Sequence, residues 1–254
     1  GAPTSSERIA LIAVGGYGRG EMAPFSDVDL MFLTPYKITA WAESVIESML
    51  YILWDLRLKV GHSSRTIKDC LRLGAEDFTI RTAMLEQRYL IGDRALAEEL
   101  EERLRTELFN REVTEFIEAK LAERDERHLK QGERYMVEPN VKESKGGLRD
   151  LKSIYWIAKY VYKVQDVADL VPLGLFTPEE LETFSTAANF QWAVRSHLHL
   201  ATRRATEQLN FDLQVEVANR MGYKDRAGRR GVEVFMQDYF RHATTVGDLT
   251  RILL

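Results

Sequence analysis

Hydrophobic residues near the amino terminus fall into two short runs separated by a glycine-rich segment. The runs are Ile9–Val14 and Val28–Leu33, and the segment Gly15–Gly20 between them consists mostly of glycine. Short apolar runs bounded by turn-forming residues are typical of buried strands. The pattern therefore predicts a strand, a glycine loop and a second strand.

The next two segments predict a helix and then a third strand. Between Ala40 and Trp54 the apolar residues recur at spacings of three and four, as on the buried face of an amphipathic helix. From Asp55 to Val60 apolar and polar residues alternate, which is the period of a strand. The polar face of this predicted third strand carries Asp55, Arg57 and Lys59.

Strand signals end near residue 65, and the remaining chain predicts mainly helix. Opposite charges lie three or four residues apart between Asp93 and Arg134, which suits a long exposed helix with ion pairs. We predict an α+β fold, with a small α/β domain over residues 1–92 and a mostly helical domain over residues 93–254. The predicted helices are Ile67–Leu73, Phe78–Leu90, Arg94 to about Arg134, Leu151–Val164, Glu179–Arg204 and Val232–Leu254.

Composition and charge narrow the class of protein. The 254 residues include 35 Lys and Arg against 39 Asp and Glu, a net charge of -4 that disfavours a general nucleic-acid binder. The single cysteine, Cys70, excludes an internal disulfide. No apolar run is long enough for a membrane helix, and Gly1–Ser6 lacks the features of a signal peptide. We expect a cytoplasmic protein, and its first residue, Gly rather than Met, suggests a piece of a longer chain.

Two aspartates at the start of the second predicted strand are the strongest chemical signal. Asp27 and Asp29 are separated by one residue, so their side chains leave the same face of the strand, with Cα atoms about 6 to 7 Å apart. Val28 and Leu30 point the other way, into a core. Mg²⁺ binds one or two carboxylates together with substrate phosphates, and two such ions promote in-line phosphoryl displacement. The pair predicts a site for Mg²⁺ or Mn²⁺ and a triphosphate.

The glycines before this pair match neither of the common phosphate-binding loops. The Gly-Lys-Ser/Thr ending of a P-loop and the helix-opening dinucleotide fingerprint are both absent, and the segment leads into a strand. Glycines let backbone N–H groups approach a triphosphate without a Cβ in the way. We expect Gly15, Gly16, Arg19 and Ser26 to contact the nucleotide.

Gly15-Gly16 after a strand, followed by Ser26-Asp27-Val28-Asp29 at the next strand, resembles the DNA polymerase β-like nucleotidyltransferase superfamily. That resemblance implies a third carboxylate from a later strand. Asp55 is the first candidate, because Asp55-Leu56-Arg57-Leu58 resembles the third-carboxylate strand of glutamine synthetase adenylyltransferases, and Glu86 is the second. Arg57 and Lys59 share the face of Asp55, where they either meet triphosphate oxygens or pair with the acids.

Several longer segments resemble the bacterial family of protein-PII uridylyltransferase/uridylyl-removing enzymes, and the likeness extends along essentially the whole chain. Members transfer uridylyl from UTP to a tyrosine of the PII nitrogen-signalling protein and also remove it. The resemblance implies Asp27, Asp29 and Asp55 as catalytic metal ligands, with Asp55 helping to deprotonate the tyrosine. The segments are Ala13–Met22, Ser26–Leu30, Lys59–Ser63 and Glu138–Leu151.

The chain departs from that family pattern by its length. No histidine is followed by Asp, so the His-Asp hydrolase signature is absent, and no room is left for the paired ACT sensors. The resemblance therefore implies the transferase and helical modules, with PII as acceptor and the hydrolase and sensor modules elsewhere in the full-length protein.

Three alternatives stay open at this stage. The first is an adenylyltransferase acting on another protein. The second is an RNA-terminal nucleotidyltransferase, which the low basicity disfavours. The third is a non-catalytic module that binds a nucleotide or a partner. The glycine turn within Lys142–Asp150 either closes over the nucleotide or supports the domain junction, or Arg149 and Asp150 simply pair with each other at the start of the next helix. His197 and His199 lie on opposite sides of a helix by spacing and do not predict a metal site.

Overall fold

The computed structural model describes residues 7–132 and 136–253, and they form two compact units. The first unit runs up to Met22 and over Ser26–Val113, and the second comprises Ala23–Phe25 and the chain from Thr114 onward. The predictions for residues 1–6, for the end of the charged helix near Arg134 and for Leu254 lie outside the described residues.

The first unit is built on a four-stranded sheet with helices between its strands. The sheet order is β3-β2-β1-β4, in which β1 pairs antiparallel with β2 and β4, and β2 pairs parallel with β3. The elements are β1 (Ala10–Ala13), α1 (Gly15–Arg19), β2 (Val28–Thr34), α2 (Ala40–Asp55), β3 (Val60–Thr66), α3 (Ile67–Glu76), α4 (Phe78–Leu85), β4 (Arg88–Gly92) and α5 (Arg94–Glu107).

Both faces of this sheet are buried by helices. Leu30 and Phe32 of β2 pack with Ile46 and Leu50 of α2 on one face. The alternate β2 residues, Met31 and Leu33, pack on the other face, where α3 and α5 lie. Burial of apolar area on both sides is the main stabilising contribution to such a unit. The apolar side chains that α3–α5 bring to the second face are Ile67, Cys70, Met84, Leu96, Ala97, Leu100 and Leu104.

The first unit extends beyond residue 92, where the sequence placed its boundary. Leu96, Leu100 and Leu104 of α5 are fully buried in the same cluster as Ile12 and Met31. The sequence marks the start of α5 clearly, because the Asp93 side chain accepts the backbone N–H of Leu96 as a helix cap. The charged stretch is broken between α5 and the next helix, where Glu112 has a φ of 53°.

The second unit is almost entirely helical. It contains α6 (Val113–Gln131, which begins at the last residue of the first unit), α7 (Leu148–Tyr160), a 3₁₀ turn (Val167–Leu170), α8 (Pro178–Thr202), α9 (Phe211–Arg220) and α10 (Gly231–Leu253). Its largest cluster joins α8, α9 and α10 through Val194, Val217 and Phe235. No helix in the described part of the chain is long and apolar enough to cross a membrane.

The structure confirms the α+β class, a small α/β unit with a mostly helical remainder, and corrects four elements. The glycine loop is a five-residue helix, and the predicted strand from Asp55 begins only at Val60. The predicted helix Phe78–Leu90 ends at Leu85 and is followed by strand β4, so strand signals do not end near residue 65. Helix α9 was not predicted. For β4, pairing with β1 overrides the helical pattern of Phe78–Leu90.

Candidate active site

Asp27 and Asp29, the two aspartates that follow the glycine-rich segment, lie at the amino end of β2, as the sequence predicts. Asp27 directly precedes the strand and Asp29 is its second residue. Val28 is fixed between them, because its N–H donates to the carbonyl of Lys59 at 2.8 Å. Val28 packs into the α2 side of the core, so strand alternation directs the two carboxylates toward the opposite face.

The Asp29 carboxylate is held in a gap between two glycines. A Cβ at Gly15 would lie 3.2 Å from Asp29 Oδ2, and a Cβ at Gly61 would lie 2.6 Å from Oδ1. Gly61 is opposite Asp29 in the parallel β2–β3 ladder, and the N–H of Val14 donates to the Asp29 carbonyl at 3.1 Å. The glycine helix α1 therefore begins beside the carboxylate, with Gly15 at a φ of 60°.

Asp27 is more open than Asp29 and has a cationic neighbour. Lys59 Nζ lies 3.5 Å from Asp27 Oδ1, and the two side chains are 78% and 47% exposed. A pair so exposed contributes at most about 1 kcal/mol to stability. Of the two uses left open for Lys59, the structure shows pairing with an acid, and the exposed ammonium stays available to a phosphate.

Asp55 is not brought to this pair. It is the last residue of α2 and is exposed, and Leu56 and Arg57 form a turn after it, with Arg57 at a φ of 58°. Leu56 is 65% exposed, so the alternation that predicted a strand here does not correspond to a buried face. Over the ranges 7–132 and 136–253, no three His, Cys, Asp or Glu side chains are placed to hold one metal ion.

Asp27 and Asp29 by themselves fit Mg²⁺. This ion usually binds one or two carboxylates and takes its other ligands from water and substrate phosphates. A complete protein-made cage of three carboxylates is not formed by the described residues. The two carboxylates would therefore supply only part of the coordination shell of such an ion, and a phosphate-bearing substrate would supply further ligands.

Arg19 and Ser26, two further candidates for nucleotide contacts, differ in accessibility. The Arg19 side chain is 3% exposed and donates to the carboxylates of Glu21 and Glu86. Ser26 is half-buried, next to Asp27. Arg19 is thus engaged inside the first unit, whereas Ser26 lies at the edge of the site.

The sequence did not predict that Gly61 borders Asp29, nor that the segment Glu86–Arg88 contacts α1. Gly61 has no local signal, because only the parallel register places it opposite Asp29. Arg88 donates to the carbonyls of Tyr17 and Gly18 at 2.7 and 3.1 Å. Since Arg88 lies in a strand that the sequence did not predict, its contact with the glycine helix was not foreseeable.

In the second unit, the Lys142–Asp150 segment is a tightly hydrogen-bonded turn. Asp150 is buried and accepts hydrogen bonds from Arg127, from His128 at 3.0 Å and from the N–H of Gly146 at 2.7 Å. Burial alone raises the pKa of Asp150, but these hydrogen bonds and the charges of His128 and Arg127 bring it below its usual value. The described ion pairs of Asp150 are therefore with Arg127 and His128, within the second unit, whereas Arg149 pairs with Glu143.

Two other potentially reactive side chains, Cys70 and His199, are buried and have structural roles. Burial raises the pKa of Cys70 to about 12 and keeps its thiol protonated, so it is not a nucleophile. His199 is fully buried and accepts the N–H of Phe25 at Nδ1, at 3.0 Å, within the second unit.

The sheet, the glycine helix and the paired aspartates define the first unit as a nucleotidyltransferase domain, and the sequence profile of that domain matches residues 4–89. The profile described as GlnD PII-uridylyltransferase matches residues 115–254, more than half of the chain. The chain belongs to that family.

Relatives with the name bifunctional uridylyltransferase/uridylyl-removing enzyme align with nearly the whole chain. The protein from Ruegeria pomeroyi is 77% identical over 252 residues, covering 99% of this chain and 28% of its own length. The protein from Cereibacter sphaeroides is 69% identical over 253 residues, covering 99% and 27%. The protein from Azospirillum brasilense is 56% identical over 251 residues, covering 98% and 27%. The chain thus spans a little over a quarter of the length of these relatives.

Proposed function

We propose that this chain transfers a uridylyl group from UTP to a tyrosine hydroxyl of the PII nitrogen-regulatory protein and releases pyrophosphate. The observation that carries the proposal is the Asp29 carboxylate held between Gly15 and Gly61, at the start of the glycine helix and separated from Asp27 by one residue. The names of the relatives and of the matching family support uridylyl as the group transferred and PII as the acceptor. The reaction would take place in the cytoplasm.

Asp27 and Asp29 would hold Mg²⁺ or Mn²⁺. The metal would neutralise charge on the triphosphate and on the leaving pyrophosphate. The fold fixes the position of both carboxylates. The Asp29 carboxylate lies between the backbones of Gly15 and Gly61, and only Val28 separates Asp27 from Asp29 in the chain. The sequence also predicts a two-metal arrangement with Asp55 as a third ligand. We do not include it in this proposal, since Asp55 ends α2 and joins no group of three metal-binding side chains in the described part of the chain.

The remaining first-unit candidates would bind the nucleotide. Gly15 presents backbone close to Asp29, and Gly16 follows it in α1. Ser26 precedes Asp27 in the chain, and the exposed Lys59 ammonium lies 3.5 Å from the Asp27 carboxylate. Arg57, exposed in the turn before β3, would act on the outer phosphates. Arg19 would act indirectly, because its guanidinium is buried against carboxylates.

In the reaction, the tyrosine oxygen forms a bond to the α-phosphorus of UTP and the bond from that phosphorus to the bridging oxygen of pyrophosphate breaks. The tyrosine proton passes to solvent, which is demanding because a free phenol has a pKa near 10. The chain contributes orientation of the triphosphate and complementary charge, the two largest sources of rate enhancement in phosphoryl transfer.

Transfer of label from α-labelled UTP to purified PII, with Mg²⁺, tests the proposal. The parent chain should label PII, and the Asp27→Asn, Asp29→Asn double variant should not. An Arg81→Lys variant is a matched control, because Arg81 is buried in the same unit and hydrogen-bonds to Gly74 and Ala75. Labelling of PII that is equal in the parent and in the double variant would refute the metal site.

The same assay separates the alternatives. Transfer from ATP to another protein, with none from UTP to PII, would identify an adenylyltransferase. A non-catalytic module would show no transfer. One that binds only a protein partner would also lack the Mg²⁺-dependent thermal stabilisation by UTP that a metal-bridged triphosphate site should show.

A further inference from the structure

The glycine helix α1 has little of its own to hold it in place. It is five residues long, three of them glycine, and no side chain caps its amino end. Each glycine costs a helix about 1 kcal/mol relative to alanine, and helices this short are unstable in isolation. Its position must therefore be fixed by contacts from other parts of the first unit.

The first contact is a buried ion pair between Arg19, the last residue of α1, and Glu86. Arg19 Nη1 donates to Glu86 Oε2, and the two side chains are 3% and 2% exposed. Arg19 Nε also donates to Glu21 Oε2 at 3.1 Å. Glu86 directly follows α4, so the pair joins α1 to the end of another helix. Removing one partner of such a pair leaves an uncompensated buried charge.

The second contact comes from the backbone of Glu86 and from Arg88. A Cβ at Gly18 would lie 2.1 Å from the Glu86 carbonyl oxygen, so α1 rests directly on this backbone. Arg88 donates to the carbonyls of Tyr17 and Gly18, and it faces Ala13 in the β1–β4 ladder. The segment Glu86–Arg88 therefore binds the carboxyl end of α1 in two ways. Glu86 binds the Arg19 side chain, and Arg88 binds the backbone carbonyls of Tyr17 and Gly18.

The opposite end of α1 lies against the candidate metal site. Gly15 is the glycine whose added Cβ would lie 3.2 Å from Asp29 Oδ2. A five-residue helix is only about 7 Å long at 1.5 Å per residue, so a displacement at Arg19 is carried to Gly15. The position of the carboxyl end of α1 thus determines where the Gly15 backbone lies relative to the Asp29 carboxylate.

We propose that Arg19 and Glu86 are positioning residues for nucleotidyl transfer, and that their buried ion pair fixes α1 against Asp29. Glu86, the second candidate from the sequence for a third carboxylate, would then not be a metal ligand, because its carboxylate is enclosed and bound to a guanidinium. The inference rests on the proposed function of the site.

The test compares Glu86→Ala and Glu86→Gln with the parent and with Arg81→Lys, which changes a buried arginine that hydrogen-bonds to Gly74, Ala75 and Glu112. Glu86→Gln keeps an oxygen that accepts from Arg19, whereas Glu86→Ala removes it. We measure kcat/KM for UTP, thermal stability, and Mn²⁺ affinity without nucleotide by electron paramagnetic resonance. The assays run well below the unfolding temperature of each variant.

We expect Glu86→Ala to lower kcat/KM about 100-fold, the effect of a misplacement near 1 Å, and Glu86→Gln to lower it less than about 10-fold. Mn²⁺ affinity should stay within about threefold for both, because Asp27 and Asp29 are retained. Arg81→Lys should lose stability without losing kcat/KM. If Glu86→Ala does not fold, Glu86→Asp replaces it, because it keeps the charge and shortens the side chain.

Two results would overturn the inference. A loss of Mn²⁺ affinity of about tenfold or more in Glu86→Gln would show that Glu86 acts on the metal, as a ligand or as the partner of a ligand, and not on α1. An unchanged kcat/KM in Glu86→Ala, with lowered stability, would leave the pair merely structural. If the parent transfers nothing, the proposed function fails by itself. In that case the affinity for Mn²⁺ in the presence of UTP tests the inference. Weaker binding in Glu86→Ala than in the parent would support it, and equal binding would refute it.

Discussion

The Asp29 carboxylate occupies the space that a side chain at Gly61 would need. Oδ1 lies 2.6 Å from the position of a Cβ on Gly61, closer than any Cβ contact tolerates. The two residues face each other in the parallel pairing of β2 and β3, 32 positions apart in the sequence. The carboxylate conformation at the candidate site therefore depends on a glycine in a neighbouring strand.

Gly61→Ala should lower kcat/KM for nucleotidyl transfer by about 100-fold, because the new methyl group displaces the Asp29 carboxylate. Gly61 is exposed, so thermal stability should change little. Gly247→Ala is the control, since an added Cβ there meets no atom within 4 Å. Full activity in Gly61→Ala would show that the Asp29 position is not critical.

Asp29→Asn should lower transfer by about 1,000-fold, because loss of one metal-binding carboxylate removes several kcal/mol of charge stabilisation. Asp29 lies at the end of a strand beside the site, and we expect thermal unfolding close to that of the parent. Mn²⁺ affinity, measured without nucleotide, should fall in parallel. Retained Mn²⁺ binding would place the metal elsewhere.

Asp55→Asn should lower transfer less than about tenfold. Asp55 is exposed at the end of α2 and lies outside any described group of three metal-binding side chains, and isolated surface substitutions seldom have large effects. The kinetic comparison with Asp29→Asn decides this point directly. A loss as large as that of Asp29→Asn would restore Asp55 as the third carboxylate, brought to the site when nucleotide binds.

Asp150→Asn should destabilise the second unit by about 3 kcal/mol at pH 7, because it breaks a buried pair and leaves the Arg127 guanidinium with the more distant Glu143 carboxylate, at 3.9 Å. The pKa of Asp150 is below its usual value in the folded protein. Its contribution is therefore complete above about pH 4, the unfolded pKa, and is lost as the pH falls through the folded pKa. Thermal unfolding at pH 7 and below pH 4 checks this, and a difference from the parent that persists undiminished in acid would contradict it.

Local sequence determined the first strand, the position of Asp27 and Asp29 beside a glycine segment, and most helices, because these features depend on neighbours within a few residues. An apolar pattern with spacings of three and four over more than ten residues, as in α2, is sufficient evidence for a helix. The short alternation at Asp55–Val60 is not sufficient evidence for a strand, since a six-residue pattern recurs without a buried face. That is why the third strand was placed too early.

Tertiary structure alone decided what surrounds the acids. Strand pairing between β2 and β3 brought Gly61 to Asp29, and the unpredicted strand β4 brought Arg88 to the glycine helix. Burial converted Arg19 from a predicted phosphate ligand into the partner of Glu86. Each of these relationships joins residues more than 30 positions apart, and their formation depends on register and packing. The sequence by itself thus identified the acids and the family resemblance, while the long-range contacts decided how the acids are held.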